Sequence, residues 1–166
     1  MQEIDFAYLG MEETDWAYLA GIVDGEGCID FRVDKGGHTT PRLQVVTTDE
    51  RLYVWLQKRL HGSVSKRPKY NLKWKQSWVW TRTGRSACDI VQTIRPYLVL
   101  KREQADVMAD WMQRTNLKQN TGGRWQMASS DRQDGLNAVA VTKIRDLNRR
   151  GVAIRVQRSP RAVSHP

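Results

Sequence analysis

The 166 residues carry 27 Lys and Arg against 18 Asp and Glu, for a net charge of +9, and 40% are hydrophobic. That is enough for one domain with a real core plus a tail, a core rich in its seven Trp. No apolar run approaches the ~20 residues that span a bilayer, and no basic segment carries an amphipathic apolar face, so no membrane partner is expected.

In chain order, Thr14 or Asp15 can cap a helix over residues 16–23, ended by Gly25 and Gly27. Next, Ile29, Phe31 and Val33 alternate with Cys28, Asp30, Arg32 and Asp34, the period of a half-buried strand. Gly36-Gly37 marks a hairpin connection, with His38 at its tip. A second strand follows, with Leu43 and Val45 on one face and Arg42, Gln44 and Val46 on the other. Thr48 or Asp49 caps a helix striped by Leu52, Trp55, Leu56 and Leu60, with His61 at its end and Gly62 as its stop.

Residues 63–67, a turn at 68–71 and residues 72–82 read as a second hairpin, with Trp74, Trp78 and Trp80 on one face as core. A helix over 86–94 stops at Pro96, and another starts near Lys101. Residues 117–126 read as loop and 129–151 as a last helix stopped by Gly151. The expected layout is one domain over 1–151 with a basic, flexible tail over 152–166.

Two hairpins in one antiparallel sheet backed by helices make an α+β fold, αββαββα. The uncovered face would show Asp30, Arg32, Arg42, Gln44, Lys66 or Arg67, Lys73 and Lys75. Such a face is either solvated or suited to reading DNA base edges. The charge is segregated in a way that fits a polyanionic partner. Residues 1–34 hold nine acids and one base, and residues 63–88 hold seven bases and no acid. Two cysteines without a CxxC pattern, and no secretory leader, fit a reduced intracellular compartment; the acidic start does not fit a mitochondrial presequence.

Residues 19–27, LAGIVDGEG, crowd Asp24 and Glu26 among three glycines at a helix end. Carboxylates beside an uncovered glycine carbonyl offer hard oxygen donors that suit Mg²⁺ or Mn²⁺. A phosphodiester hydrolase can use such an ion to stabilise the leaving oxygen and activate water. A close-packed turn with exposed acids is the other reading, and spacing leaves the two even.

This stretch closely resembles the signature of the LAGLIDADG homing endonucleases, one residue for each of its nine places. "LQVVTTDERL", "IRPYLVLKREQADVM" and "IRDLNRRG" resemble later segments of that family. The resemblance implies a site-specific, metal-dependent double-strand DNA endonuclease acting on a long, pseudo-palindromic target and leaving 3′ overhangs. It implies an origin in a mobile intron or as a free-standing gene, and action wherever the host genome lies: bacterial or phage-infected cytoplasm, or an organelle. The alternative within the family is a non-cleaving binder, an intron RNA maturase or a transcription regulator.

By resemblance, Glu26 is the catalytic metal-binding acid, with the Gly25 carbonyl as a second ligand. Lys101 matches the basic residue near the scissile phosphate, and Arg51 a residue that orders active-site water. A Gln of some relatives falls on Thr47 or Thr48. The motif occurs once, and single-motif members resemble homodimers. The interface is expected at Ala17, Ala20, Gly21 and Asp24. Base readout falls to Asp30, Arg32, Arg42 and Gln44, Arg suiting guanine and Gln adenine. Lys66, Arg67, Lys69, Lys73 and Lys75 add phosphate and base contacts.

Overall fold

The computed structural model describes residues 10–69, 71, 73–115 and 131–153. The elements are α1 (Glu13–Glu26), β1 (Gly27–Val33), β2 (Thr39–Thr47), α2 (Glu50–Leu60), β3 (Ser63–Lys66), β4 (Trp78–Thr83), α3 (Arg85–Ile94), α4 (Arg102–Arg114) and α5 (Asp131–Ala153). A 3₁₀ turn at Arg95–Tyr97 joins α3 to α4. The four strands form one antiparallel sheet in the order β1–β2–β4–β3. The α+β expectation therefore holds. None of the described helices is long and apolar enough to cross a membrane.

Burial alternates along all nine residues of β2, as the period-2 pattern requires. Ile29, Phe31, Leu43, Val45 and Trp80 share the covered face and pack against Leu19, Ala20 and Val23 of α1, Leu56 and Leu60 of α2, and Ile90 and Ile94 of α3. Each fully buried Leu or Ile contributes roughly 1.5–3 kcal/mol by leaving water. The helix–sheet interface is thus the main favourable term. At its β1 side, Trp111 of α4 packs on Phe31, ring centroids 5.0 Å apart. The Trp111 indole N–H donates to Asn137 of α5 at 2.9 Å, so this buried polar group is satisfied.

Several boundaries differ from the sequence reading. The α1 cap is Glu12, whose N–H donates to Asp15; neither Thr14 nor Asp15 is the cap. The α1 helix also continues through Gly25 to Glu26 and ends at Gly27. Of the two candidates for α2, Asp49 is the cap, its carboxylate accepting from the Arg51 N–H. The second hairpin is shorter than the alternation suggested, because β4 begins at Trp78. The Asn71 side chain accepts from the Lys73 N–H and its carbonyl from the Trp74 N–H, which turns the chain out of the sheet.

The three tryptophans therefore part company. Trp80 is core, Trp78 packs on Tyr53, and Trp74 is exposed. Gly151 does not stop the last helix, which runs to Ala153. The expected loop over 117–126 and the tail beyond 153 lie outside the described residues.

The α2–β3 turn shows why glycine stands at 62. Its φ is +103°, and a Cβ there would sit 2.8 Å from the Thr81 carbonyl oxygen and 3.0 Å from Trp80 Nε1. That indole N–H donates to the His61 carbonyl at 2.6 Å. Gly62→Ala is expected to lower stability by about 2 kcal/mol, read as an earlier urea midpoint at unchanged slope.

Candidate active site and nucleic-acid interface

Glu26 is the last residue of α1, and its side chain is exposed. Among the described residues its carboxylate makes no hydrogen bond or ion pair. The last four carbonyls of a helix have no helical donor beyond the cap. Here the Val23 carbonyl accepts from the Gly27 N–H and the Asp24 carbonyl from Lys101 Nζ. The Gly25 and Glu26 carbonyls lie past the helical ladder, at the negative end of the helix dipole. Gly27 makes the turn possible: a Cβ there would stand 2.6 Å from Val23 Cα, so only glycine lets β1 leave α1 this tightly.

Asp24 and Glu26 have different surroundings. The Asp24 carboxylate accepts from the Val99 N–H at 2.7 Å and the Lys101 N–H at 2.9 Å. It holds the start of this chain's own α4. Lys101 is the N-cap of α4, where the dipole disfavours a cation, yet its ammonium reaches back to the C-terminal end of α1, where a cation is favoured. Lys101 and Glu26 thus flank one helix end.

Among the described residues the donor set there is the free Glu26 carboxylate and the Gly25 carbonyl, hard-oxygen donors that fit Mg²⁺ with water or phosphate completing the shell. No group of three or more His, Cys, Asp or Glu that could hold a metal occurs among the described residues. One chain therefore supplies only part of a coordination shell.

Beside this junction lies the uncovered sheet face. Cys28, Asp30 and Arg32 of β1 adjoin Arg42, Gln44 and Val46 of β2 and Val79 and Thr81 of β4. Asp30 and Arg42 are cross-strand partners in a two-pronged ion pair, Nε to Oδ1 at 2.8 Å and Nη2 to Oδ2 at 2.6 Å. The Asp30 hydrogen bonds raise the Arg42 pKa above its usual value. Burial, and then Asp30, push the Cys28 thiol up, so it is a thiol rather than a thiolate at neutral pH. Gln44 Nε2 donates to Thr81 Oγ1 at 2.9 Å, and Arg32 is exposed.

The basic residues of the second hairpin are placed differently from the expectation. Lys66 ends β3 opposite Trp78, in the register of Val64 and Trp80, and so belongs to the other side of the sheet. Arg67, the other candidate, follows Lys66 by one residue with its N–H still donating across the hairpin to the Ser77 carbonyl at 3.0 Å, which gives it the register of the uncovered face. Lys69, Lys73 and Lys75 are exposed in the β3–β4 connection, off the strands, for the reason given by the Asn71 turn.

Ala20, expected at a subunit interface, is fully buried in the chain's own core. At 100° per residue it faces inward with Trp16, Leu19 and Val23. The exposed small residues are Ala17, Gly21 and Gly25, spaced by four. A Cβ built at Gly21 or Gly25 meets no described atom within 4 Å. Tyr18, Val99 and Leu100 are also exposed, at 57%, 81% and 73%.

Two residues escaped the sequence reading. Gln104 of α4 and Asn148 of α5 join at 3.3 Å, and Asn148 Nδ2 donates to the Ile29 carbonyl at 3.2 Å. They tie the helix that carries Lys101 to the strand that follows Glu26. The available signal was a polar residue within an apolar stripe, Gln104 before Ala105, Val107 and Met108, and Asn148 after Ile144 and Leu147.

The class so defined is an α+β domain with a polar four-stranded face and an exposed Glu26 and a held Lys101 at its helix–strand junction. No protein-family model and no curated protein matches the sequence. Solved structures match by shape. The homing endonuclease I-CvuI, solved on DNA in the presence of Mg, superposes with a TM-score of 0.58 and 21% identity over 81% of this chain and 82% of that one. A complex of I-CvuI with its own target and Ca gives the same score over 90% and 87%. The LAGLIDADG homing endonuclease I-GzeII, in complex with its DNA target, has a TM-score of 0.52 and 13% identity. It covers 91% of this chain, which spans only 53% of I-GzeII. The fold is that of the LAGLIDADG homing endonucleases, with residues 19–27 running from α1 into β1.

Arg51, in the first turn of α2, is held by Asp49. Its side chain is 91% exposed and folds onto Asp49, Nη2 to Oδ2 at 2.6 Å. The Arg51 side chain, and then its backbone N–H, hold the Asp49 carboxyl down at about 2. A depressed carboxyl stabilises the fold above its unfolded value near 3.8, and that contribution is lost as pH falls through about 2. In Arg51→Ala the Asp49 carboxyl should titrate closer to 3.8, followed by NMR, with the α2 start loosening earlier on acidification.

Proposed function

We propose that the chain is one subunit of a homodimeric, divalent-metal-dependent, site-specific DNA endonuclease. The observation that carries this reading is the α1 end, where Glu26, unpartnered among the described residues, and a held Lys101 stand beside a polar sheet face. The fold it shares with DNA-bound homing endonucleases supports the substrate class. The sheet would enter the major groove of one half-site, with the exposed lysines and arginine of the β3–β4 connection meeting phosphates.

Glu26 and the Gly25 carbonyl would hold the metal. When bound, such an ion would supply Lewis acidity at the scissile phosphate and would lower the pKa of a water there. Lys101 adds positive charge beside the phosphate. Arg51, exposed and able to leave Asp49, is the proposed organiser of solvent at the same site. Thr47 caps the approach to α2 through its hydroxyl, which accepts from the Asp49 N–H at 3.0 Å, and Thr48 is exposed. Of the two, Thr48 is the one free to take the place of the family's Gln.

The exposed stripe of Ala17, Gly21 and Gly25, flanked by Tyr18, Val99 and Leu100, supports pairing with a second copy about a two-fold axis. Coverage of about half of I-GzeII fits a unit that needs a second copy. Retention of Glu26 favours cleavage over the non-cleaving binder.

Selection of cleaved sites from a randomised duplex library with Mg²⁺ tests the reading; recovery of no sites with cut ends overturns it. Glu26→Gln should retain DNA binding while cleavage falls roughly a thousandfold, the rate equivalent of the several kcal/mol a metal supplies. Undiminished cutting would remove Glu26 from the metal site. Gly21→Leu has room in the free chain, so the subunit should stay folded while sedimentation shifts from dimer to monomer. An unchanged dimer would place the interface elsewhere.

A further inference from the structure

We infer that Asp30 and Arg42 act as one neutral unit that reads a guanine close to the cutting position; this rests on the DNA-endonuclease reading above. The register sets the two residues directly opposite each other on the uncovered sheet face, with side chains 20% and 28% exposed.

The geometry of the pair decides what it can bind. A guanidinium has five N–H donors in a rigid fork. Asp30 takes the edge formed by Nε and one Nη2 hydrogen. The remaining edge, one hydrogen each on Nη1 and Nη2, is the edge that fits guanine O6 and N7 together. Holding the inner edge fixes the plane of the outer one, so the Arg42 side chain is ordered before it meets a base. Adenine presents N7 beside an N6 amino group, and a donor-only edge meets that amino group donor to donor.

The pair is also suited to a base in preference to a phosphate. Its charges cancel, and the Asp30 carboxylate would repel a phosphate brought to the same place. The unpaired cations of the β3–β4 connection are better phosphate partners. Position follows from the strand. Asp30 lies four residues beyond Glu26, at most about 13 Å of extended chain, the length of about four base-pair steps. With roughly 6 Å more for the reach of the Arg42 side chain, the guanine lies within about six base pairs of the phosphate nearest Glu26.

The test is equilibrium selection of bound duplexes by the full chain from a randomised library without Mg²⁺. Wild type should enrich a fixed G·C pair in each half-site within about six base pairs of the cutting position. Arg42→Gln should lower that preference at least fivefold and move it toward A·T, because Gln pairs with adenine N6 and N7. Arg42→Lys, which keeps the charge without the two-pronged edge, should lose it as well.

Asp30→Asn, nearly the same shape, releases Arg42. Guanine preference should fall, and the slope of log affinity against log salt should steepen by about one as Arg42 reaches a phosphate. A merely structural ion pair would leave both unmoved. Thermal unfolding of each variant checks that it folds. A selected site with no G·C pair in that window, or one whose preference survives Arg42→Gln and Arg42→Lys, overturns this inference alone. Enrichment of no sequence by wild type overturns the site-specific reading together with it.

Discussion

Asp24 ties the end of α1 to the beginning of α4, and the functional end of the molecule is built on that tie. Its two carboxylate oxygens accept the Val99 and Lys101 N–H groups, which would otherwise be unpaired ahead of α4. Its own carbonyl receives the Lys101 ammonium. A negative group at one helix N-terminus and a positive group at another helix C-terminus are both favourable dipole contacts, and one residue pair makes both. The contact joins positions 77 apart in sequence. It brings Lys101 to Glu26 and also sets Val99 and Leu100 outward, so chemistry and surface shape have one cause.

The second constraint is the turn at Gly27. Because β1 leaves α1 without a loop, Glu26 stands at a fixed distance from every residue of the sheet edge. The pairing of Gly27 with Val45 then dictates the β1–β2 register, including Asp30 opposite Arg42. A one-residue slip would turn Ile29 and Leu43 out of the core, so the hydrophobic pattern enforces the polar one. The face offered to a ligand is thereby specified by the face that is buried.

Features written in local periodicity were legible in the sequence. The alternation through 28–33 and 42–47, the α2 stripe and the glycine-bounded motif all reappear in the fold. What could not be read depended on side chains meeting across the chain. The Asn71 turn shortens β4 against its own alternation. Arg82 follows Trp80 by two residues and shares its buried side, where burial lowers its pKa and leaves Nε without a hydrogen bond. Ala20 shows a different ambiguity. A small residue permits close approach equally to a partner and to its own core, and only the helical phase relative to Leu19 and Val23 separates the two. Gln104 and Asn148 meet over 44 residues, beyond any local pattern.

In the proposed dimer one helix performs two tasks. The outward stripe of Ala17, Gly21 and Gly25 repeats every four residues, and Glu26 comes immediately after its last member. Two helices pairing along that stripe would bring their C-terminal ends together, and with them two carboxylates at the negative ends of two dipoles. Such a meeting is electrostatically unfavourable by itself and becomes favourable when cations and the nearby Lys101 ammonium lie between the charges. The described residues of one chain offer only part of a metal's shell, while a paired arrangement on a phosphate backbone would offer acids, carbonyls and phosphate oxygens together. On this reading subunit pairing, metal binding and DNA binding support one another, because each supplies charge or ligands that the others lack.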